Sequence, residues 1–160
     1  MNADPQMIAD SIPSLSRSRN ALLAIAVGGL SAGTLDLLQA SILFGWDIPL
    51  SIAGGLLGPS AAHGGAGTFV LGVLLHFSIA TSAATVYYLA GRKLPFLTSH
   101  AILAGMIFGA LVYLFMHYLV LPLSLVPKSH GHLIYKVAEF IEHWFFVGLP
   151  ISLSVRHYSR

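Results

Sequence analysis

The chain has 160 residues, 56% of them hydrophobic and only 9% charged, where an ordinary soluble domain has about 25% charged. That balance excludes a disordered chain, a basic nucleic-acid arm and a solvated globular enzyme, and it marks a membrane protein of one compact bundle. Eight Lys and Arg against six Asp and Glu leave a net charge of +2, too little to cover a nucleic acid, and the lack of Cys excludes disulfides, thiolate catalysis and iron–sulfur centres.

Residues 1–19 read as an N-terminal cytoplasmic tail, mobile or lying as a surface helix, and residues 20–157 as a four-helix transmembrane domain. The first apolar stretch, about residues 21–45, exceeds the roughly 20 residues a helix needs to cross a bilayer. Its long polar lead and its apolar continuation to Phe44 speak against a cleaved signal peptide cut near Ser31-Ala32-Gly33. Gly29-x-x-x-Gly33 offers a face for close helix packing, and Asp36 falls about 20° from it. In the loop that follows, Asp47 is placed to cap a short helix with Ile48-Pro49 in its first turn, and Gly58-Pro59 stops it. That helix is too short to span, so it is expected to lie in the outer interface or to dip in and return.

The second span covers about residues 68–90 and carries Gly72, Ala80 and Ala83 with His76 among them. The link Gly91–His100 is short, which makes the second and third spans neighbouring antiparallel helices. The third covers about 101–121 and offers Gly105-x-x-x-Gly109, with His117 turned about 80° from Gly109; Pro122 should end or kink it. The next loop holds His130-x-His132, a spacing that suits a metal at the bundle mouth or two solvated imidazoles. The fourth span, about 133–155, is interrupted by Lys136, Glu139, Glu142 and His143, and Pro150 should bend it by freeing a carbonyl near Phe146.

Orientation follows from the basic residues. Arg17, Arg19, Arg92, Lys93, Arg156 and Arg160 fall on one side, and only Lys128 and Lys136 on the other, so both termini are expected in the cytoplasm. Trp46, Tyr118 and Tyr135 then mark the outer interface.

Counted from the outer helix ends, Asp36 lies about 13 Å deep, His76 about 12 Å, His117 about 6–12 Å, Glu139 about 9 Å and His143 about 15 Å, with Glu142 beside it. The inner halves of the spans hold no Asp, Glu, Lys, Arg or His. The titratable groups therefore form one layer, which is costly in lipid unless it faces inward and pairs. Asp36 with His76 between helices, and Glu139 with His143 at i, i+4 on one helix, are the expected pairs.

Four readings of the layer stand open. It ties helices together and supports assembly or partner binding. It carries protons or metal ions across. It holds a transition metal through Glu139, His143, His76 and Asp36, although Glu139-x-x-Glu142-His143 does not reproduce the Glu-x-x-His pair of di-iron bundles. It holds a b-type haem between His76 and His117 or His143. No Gly-x-Ser-x-Gly, phosphate loop or His-Glu-x-x-His motif occurs, so the expectation is a non-enzymatic protein with no catalytic residues. At this size it is expected to act in the bilayer as a homo-oligomer or a subunit of a membrane complex.

Gly33-Thr34-Leu35-Asp36, Leu75-His76-Phe77-x-Ile79-Ala80 and Val147-Gly148-Leu149-Pro150-Ile151, together with Leu94-Pro95-Phe96-Leu97 and Tyr113-Leu114-Phe115-Met116, carry a family likeness. Over most of residues 20–157 the chain resembles the small bacterial inner-membrane four-helix proteins of the YagU-like group. The resemblance implies a bacterial plasma membrane, and it draws attention to Asp36, His76 and His143 without giving a reaction, ligand or site. The charged stretch Lys136–Glu142 departs from the apolar segment of that group.

Overall fold

The computed structural model describes residues 5–126 and 133–159, with side chains from residue 16 onward. His130 and His132, and with them the suggested metal site at the bundle mouth, lie outside the described residues. All regular elements among the described residues are helical. In chain order they are α1 (Pro5–Phe44), α2 (Ile48–Leu57), a 3-10 turn (Pro59–His63), α3 (Ala66–Lys93), α4 (Pro95–Ser99) and α5 (Ala101–Phe115). A π-helical segment (Met116–Val120) continues α5 into α6 (Leu121–Leu123), and a second one (His143–Gly148) joins α7 (Leu133–Glu142) to α8 (Leu149–Tyr158).

Three helices, Ser16–Phe44, Ala66–Lys93 and Ala101–Leu123, are long and apolar enough to cross a membrane. The rod over 133–158 is roughly 39 Å long at 1.5 Å per residue and packs against α1 and α5. The first helix starts earlier than the apolar stretch alone suggests. Residues 14–20 contain neither glycine nor proline, so the first span continues back through them, and the helix runs on past Pro13 to Pro5.

The packing is inside out relative to a soluble domain. The core cluster is built from Ala24, Ala32, Ala84 and Ala104, with Tyr87, Val147, Ile151 and Val155. Meanwhile Leu22, Leu30, Ile42, Leu74, Val86 and Ile102 remain more than half exposed. An apolar side chain gains nothing from leaving lipid for a protein interior, so large residues stay outside and small ones let backbones meet. A Cβ on Gly29 would overlap Thr81, and one on Gly33 would overlap Phe77, where α1 crosses α3. A Cβ on Gly148 would strike the Gly105 carbonyl, and one on Gly109 the His143 carbonyl. Both Gly-x-x-x-Gly pairs thus mark helix crossings.

The helix order corrects one expectation. The second and third long helices are consecutive and antiparallel, but their main packing partners are α1 for α3, and the π segment and α8 for α5. Tyr87 and Phe108 make the ring contact between α3 and α5, with centroids 4.9 Å apart. Away from that contact a cleft of about 1170 Å³ separates the two helices, lined by Leu75, Ile79, Val86, Leu111 and Phe115 among others. Glycine faces bring the other helix pairs together, whereas bulky aliphatics on these two flanks have no reason to prefer each other over lipid.

The short α2 is clamped in place at the end of the bundle opposite the termini. A Cβ on Gly72 of α3 would strike the Pro49 carbonyl, and the Leu125 N–H donates to the Gly55 carbonyl at 2.9 Å. Pro49 sits in the first turn as expected, and Gly58 ends the helix with φ +79°. Asp47 occupies the cap position but its side chain makes no cap hydrogen bond, because its backbone is turned away from the extended cap conformation.

Filling the tightest crossing tests this packing. Gly148→Ala is expected to cost about 1–3 kcal/mol through overpacking, lowering the melting temperature in detergent by several degrees. Gly67→Ala, where an added Cβ meets nothing, should melt within about a degree of wild type. Equal melting of the two variants would contradict the crossing.

Candidate functional site: an Asp–His cluster between three helices

Two prolines shape the site. Pro150 lacks the N–H that would bond one turn back, and its ring would clash with that turn's carbonyl. The chain stays helical by widening. A π segment, His143–Gly148, ends two residues before Pro150, and another, Met116–Val120, ends two residues before Pro122. Each adds a residue to a turn and rotates what precedes it by about 100°. Both segments carry a histidine in their first two positions, His143 and His117. The prolines therefore act as expected in freeing backbone, but the outcome is a bulge rather than an end of the helix.

Gly109 lets the His143 backbone lie against α5. The His143 ring then bonds through Nδ1 to the Glu139 carbonyl, 2.7 Å away. A carbonyl only accepts, so Nδ1 carries the hydrogen and Nε2 is free to face inward. That Nε2 lies 4.0 Å from Asp36 Oδ1. From the other side, His76 Nε2 lies 3.8 Å from Asp36 Oδ2 and donates to the Gly33 carbonyl at 2.9 Å. Asp36 thus stands between imidazoles from two other rods. Side-chain exposures of 14% for His76, 18% for His143 and 20% for Asp36 place the three inside the bundle.

The remaining members of the expected layer join less directly. His117 stacks on Tyr113 at 5.4 Å, and the edge contact of Tyr113 with His143, also near 5.3 Å, links it to the cluster. Glu139 contributes its main-chain oxygen rather than its carboxylate, which corrects the expected side-chain pair: the ring turns back onto its own helix and leaves Nε2 for Asp36. Glu142 has a buried Oε2 with no hydrogen-bond partner.

Among the described residues no three His, Asp or Glu side chains gather as a metal-ligand set. The four-residue metal group Asp36, His76, Glu139 and His143 is not assembled, because Asp36 takes both imidazoles at nearly 4 Å and the Glu139 carboxylate makes no ion pair with either. The same arrangement puts the Asp36 carboxylate between His76 and His143.

Sequence reasoning about titratable residues missed the hydroxyl ties at the other end of the bundle. Ser154 donates to the Ala24 carbonyl at 2.9 Å, joining α8 to α1, and Tyr87 donates to the Leu97 carbonyl at 3.0 Å, joining α3 to α4. Ser152 and Ser154, spaced two apart in the apolar run 149–155, were the available signal.

No protein-family model, no curated protein and no solved structure matches the chain. The coordinates define its class: an all-helical membrane protein with three helices able to cross a bilayer and a carboxylate–imidazole cluster among its rods.

The role of the bulge can be tested by crosslinking, since the native chain has no cysteine. Asp36→Cys with His143→Cys should link efficiently through a short bis-maleimide. Adding Pro150→Ala should let the ladder close into regular α-helix and turn position 143 away, cutting the yield several-fold. An unchanged yield would mean that the bulge does not place His143.

Proposed function

We propose that the chain is a four-span, non-enzymatic protein of a bacterial plasma membrane with both termini in the cytoplasm. In this reading the 133–158 rod is the fourth span, and α2 lies at the outer interface. The resemblance to the YagU-like group supports the bacterial membrane. The grouping of Arg17, Arg19, Arg92, Lys93 and Arg156 at one end supports the orientation. The function is assembly: the Asp36 cluster fixes the register of α1, α3 and α7–α8, and the unit so formed associates with a second copy or another subunit. The observation that carries it is Asp36 held between His76 and His143, since polar contacts between membrane helices set register where apolar burial cannot. The open flank between α3 and α5 supports association, because it leaves a seam that the chain does not fill itself.

Asp36→Ala and His76→Ala should each lower the melting temperature in detergent by about 1–2 °C, in keeping with about 0.6 kcal/mol for an average interhelical polar contact. Two variants that melt like wild type would remove the assembly role. The orientation has its own test. Ser60→Cys should react with an impermeant maleimide on intact cells, and Ser99→Cys only after permeabilisation; the reverse pattern inverts the topology.

A second reading, proton-linked transport, rests on the His143 tautomer. With Nδ1–H committed to the Glu139 carbonyl, a neutral His143 offers only a lone pair to Asp36. An attractive contact there needs one proton, held by either group, and a shared proton is the elementary part of a relay. Proteoliposomes should then show a proton flux that His143→Ala abolishes, and no flux above empty liposomes ends this reading.

A further inference from the structure

At the end of the bundle away from the Asp36 cluster, α1, α3, α4 and α8 surround a cavity of about 620 Å³. Two arginines from different helices line it, Arg17 of α1 and Arg92 in the last turn of α3. Asn20, Tyr88 and Tyr158 add an amide and two hydroxyls, the Thr98 hydroxyl being committed to the Pro95 carbonyl at 3.0 Å, and no carboxylate is among the described lining residues. Among the described residues, neither arginine forms an ion pair with an acid of the chain. All four of the cations Arg17, Arg19, Arg92 and Lys93 are exposed, and the positive-inside bias acts equally on each, but Arg19 and Lys93 do not line the cavity whereas Arg17 and Arg92 do. Convergence of two arginines on one polar hollow is a separate feature.

We propose that this cavity binds a phosphate group. Two delocalised cations repel a metal ion and suit an anion, and the guanidinium fork matches phosphate oxygens in a bidentate manner. Amide and hydroxyl donors satisfy the remaining oxygens without adding charge. The volume holds a phosphate with a small polar substituent such as glycerol, and not a lipid with its chains. The site lies where the membrane-crossing helices end, the level at which basic pockets between helices meet lipid headgroups. The phosphate comes either from an anionic phospholipid, whose chains would stay in the bilayer, or from a soluble phosphate ester.

The experiment uses the full chain purified in a nonionic detergent and reads retained ligand by native mass spectrometry and melting temperature by intrinsic fluorescence. The probes are phosphatidylglycerol, phosphatidylcholine, glycerol phosphate and inorganic phosphate. Phosphatidylglycerol should be retained and should raise the melting temperature, while phosphatidylcholine does neither. Arg17→Gln with Arg92→Gln should weaken that binding by about tenfold or more, and Arg19→Gln with Lys93→Gln, an equal charge change at the same end, by at most about twofold. Arg17→Lys, which keeps the charge and loses the fork, should fall between, and a single conservative exchange at an exposed helix position leaves the fold intact.

Retention of phosphatidylglycerol that millimolar phosphate does not displace assigns the site to lipid. Binding of glycerol phosphate or inorganic phosphate without retention of phosphatidylglycerol assigns it to a soluble ester. Equal weakening by the two double variants would reduce the effect to the general field of the basic end and overturn the proposal. So would the failure of every phosphate probe to stabilise wild type beyond phosphatidylcholine or chloride.

Discussion

Helices surrounded by hydrocarbon cannot be held together by burying oil, because lipid solvates Leu and Phe as well as a protein interior does. Close backbone approach at small residues is what remains, and most of this architecture follows from it. Alanines fill the core and large aliphatics face outward. Gly29 and Gly33 bring α1 onto α3, while Gly105, Gly109 and Gly148 bring α5 onto the segment before α8. Where glycine is lacking, between α3 and α5, the helices part and a wide apolar cleft opens.

Close approach also determines where polar groups can meet. Gly33 does two things at once: its missing side chain admits Phe77, and its carbonyl receives the His76 ring. Gly109 admits the His143 backbone, and the π segment ahead of Pro150 sets the rotation of that residue. The Asp36 cluster is therefore a product of packing at two crossings. Its polar partners bring α1, α3 and the segment before α8 together at one level.

The two ends of the bundle differ in chemistry. One holds imidazoles and carboxylates in the interior and is covered by α2, which is tied to the segment after α6 through the Gly55 carbonyl. The other holds hydroxyl ties inside, Ser154 to Ala24 and Tyr87 to Leu97, and arginines at its rim. Neutral hydroxyls suffice to stitch helices at a fixed distance.

Hydrophobic run length alone determined the helical class, the apolar helices able to cross a bilayer and the shared depth of Asp36, His76 and His143, because rise per residue is fixed. The two Gly-x-x-x-Gly pairs were equally legible, since a missing side chain leaves the same mark in sequence and in space. Rotation and neighbour choice were not. That the prolines would produce π segments, that Nδ1 of His143 would turn to the Glu139 carbonyl, and that α3 would pack on α1 rather than on α5 depended on the crossings of all the rods together. The sum of those crossings belongs to no single segment, so only the tertiary structure decided which of six expected titratable residues actually meet.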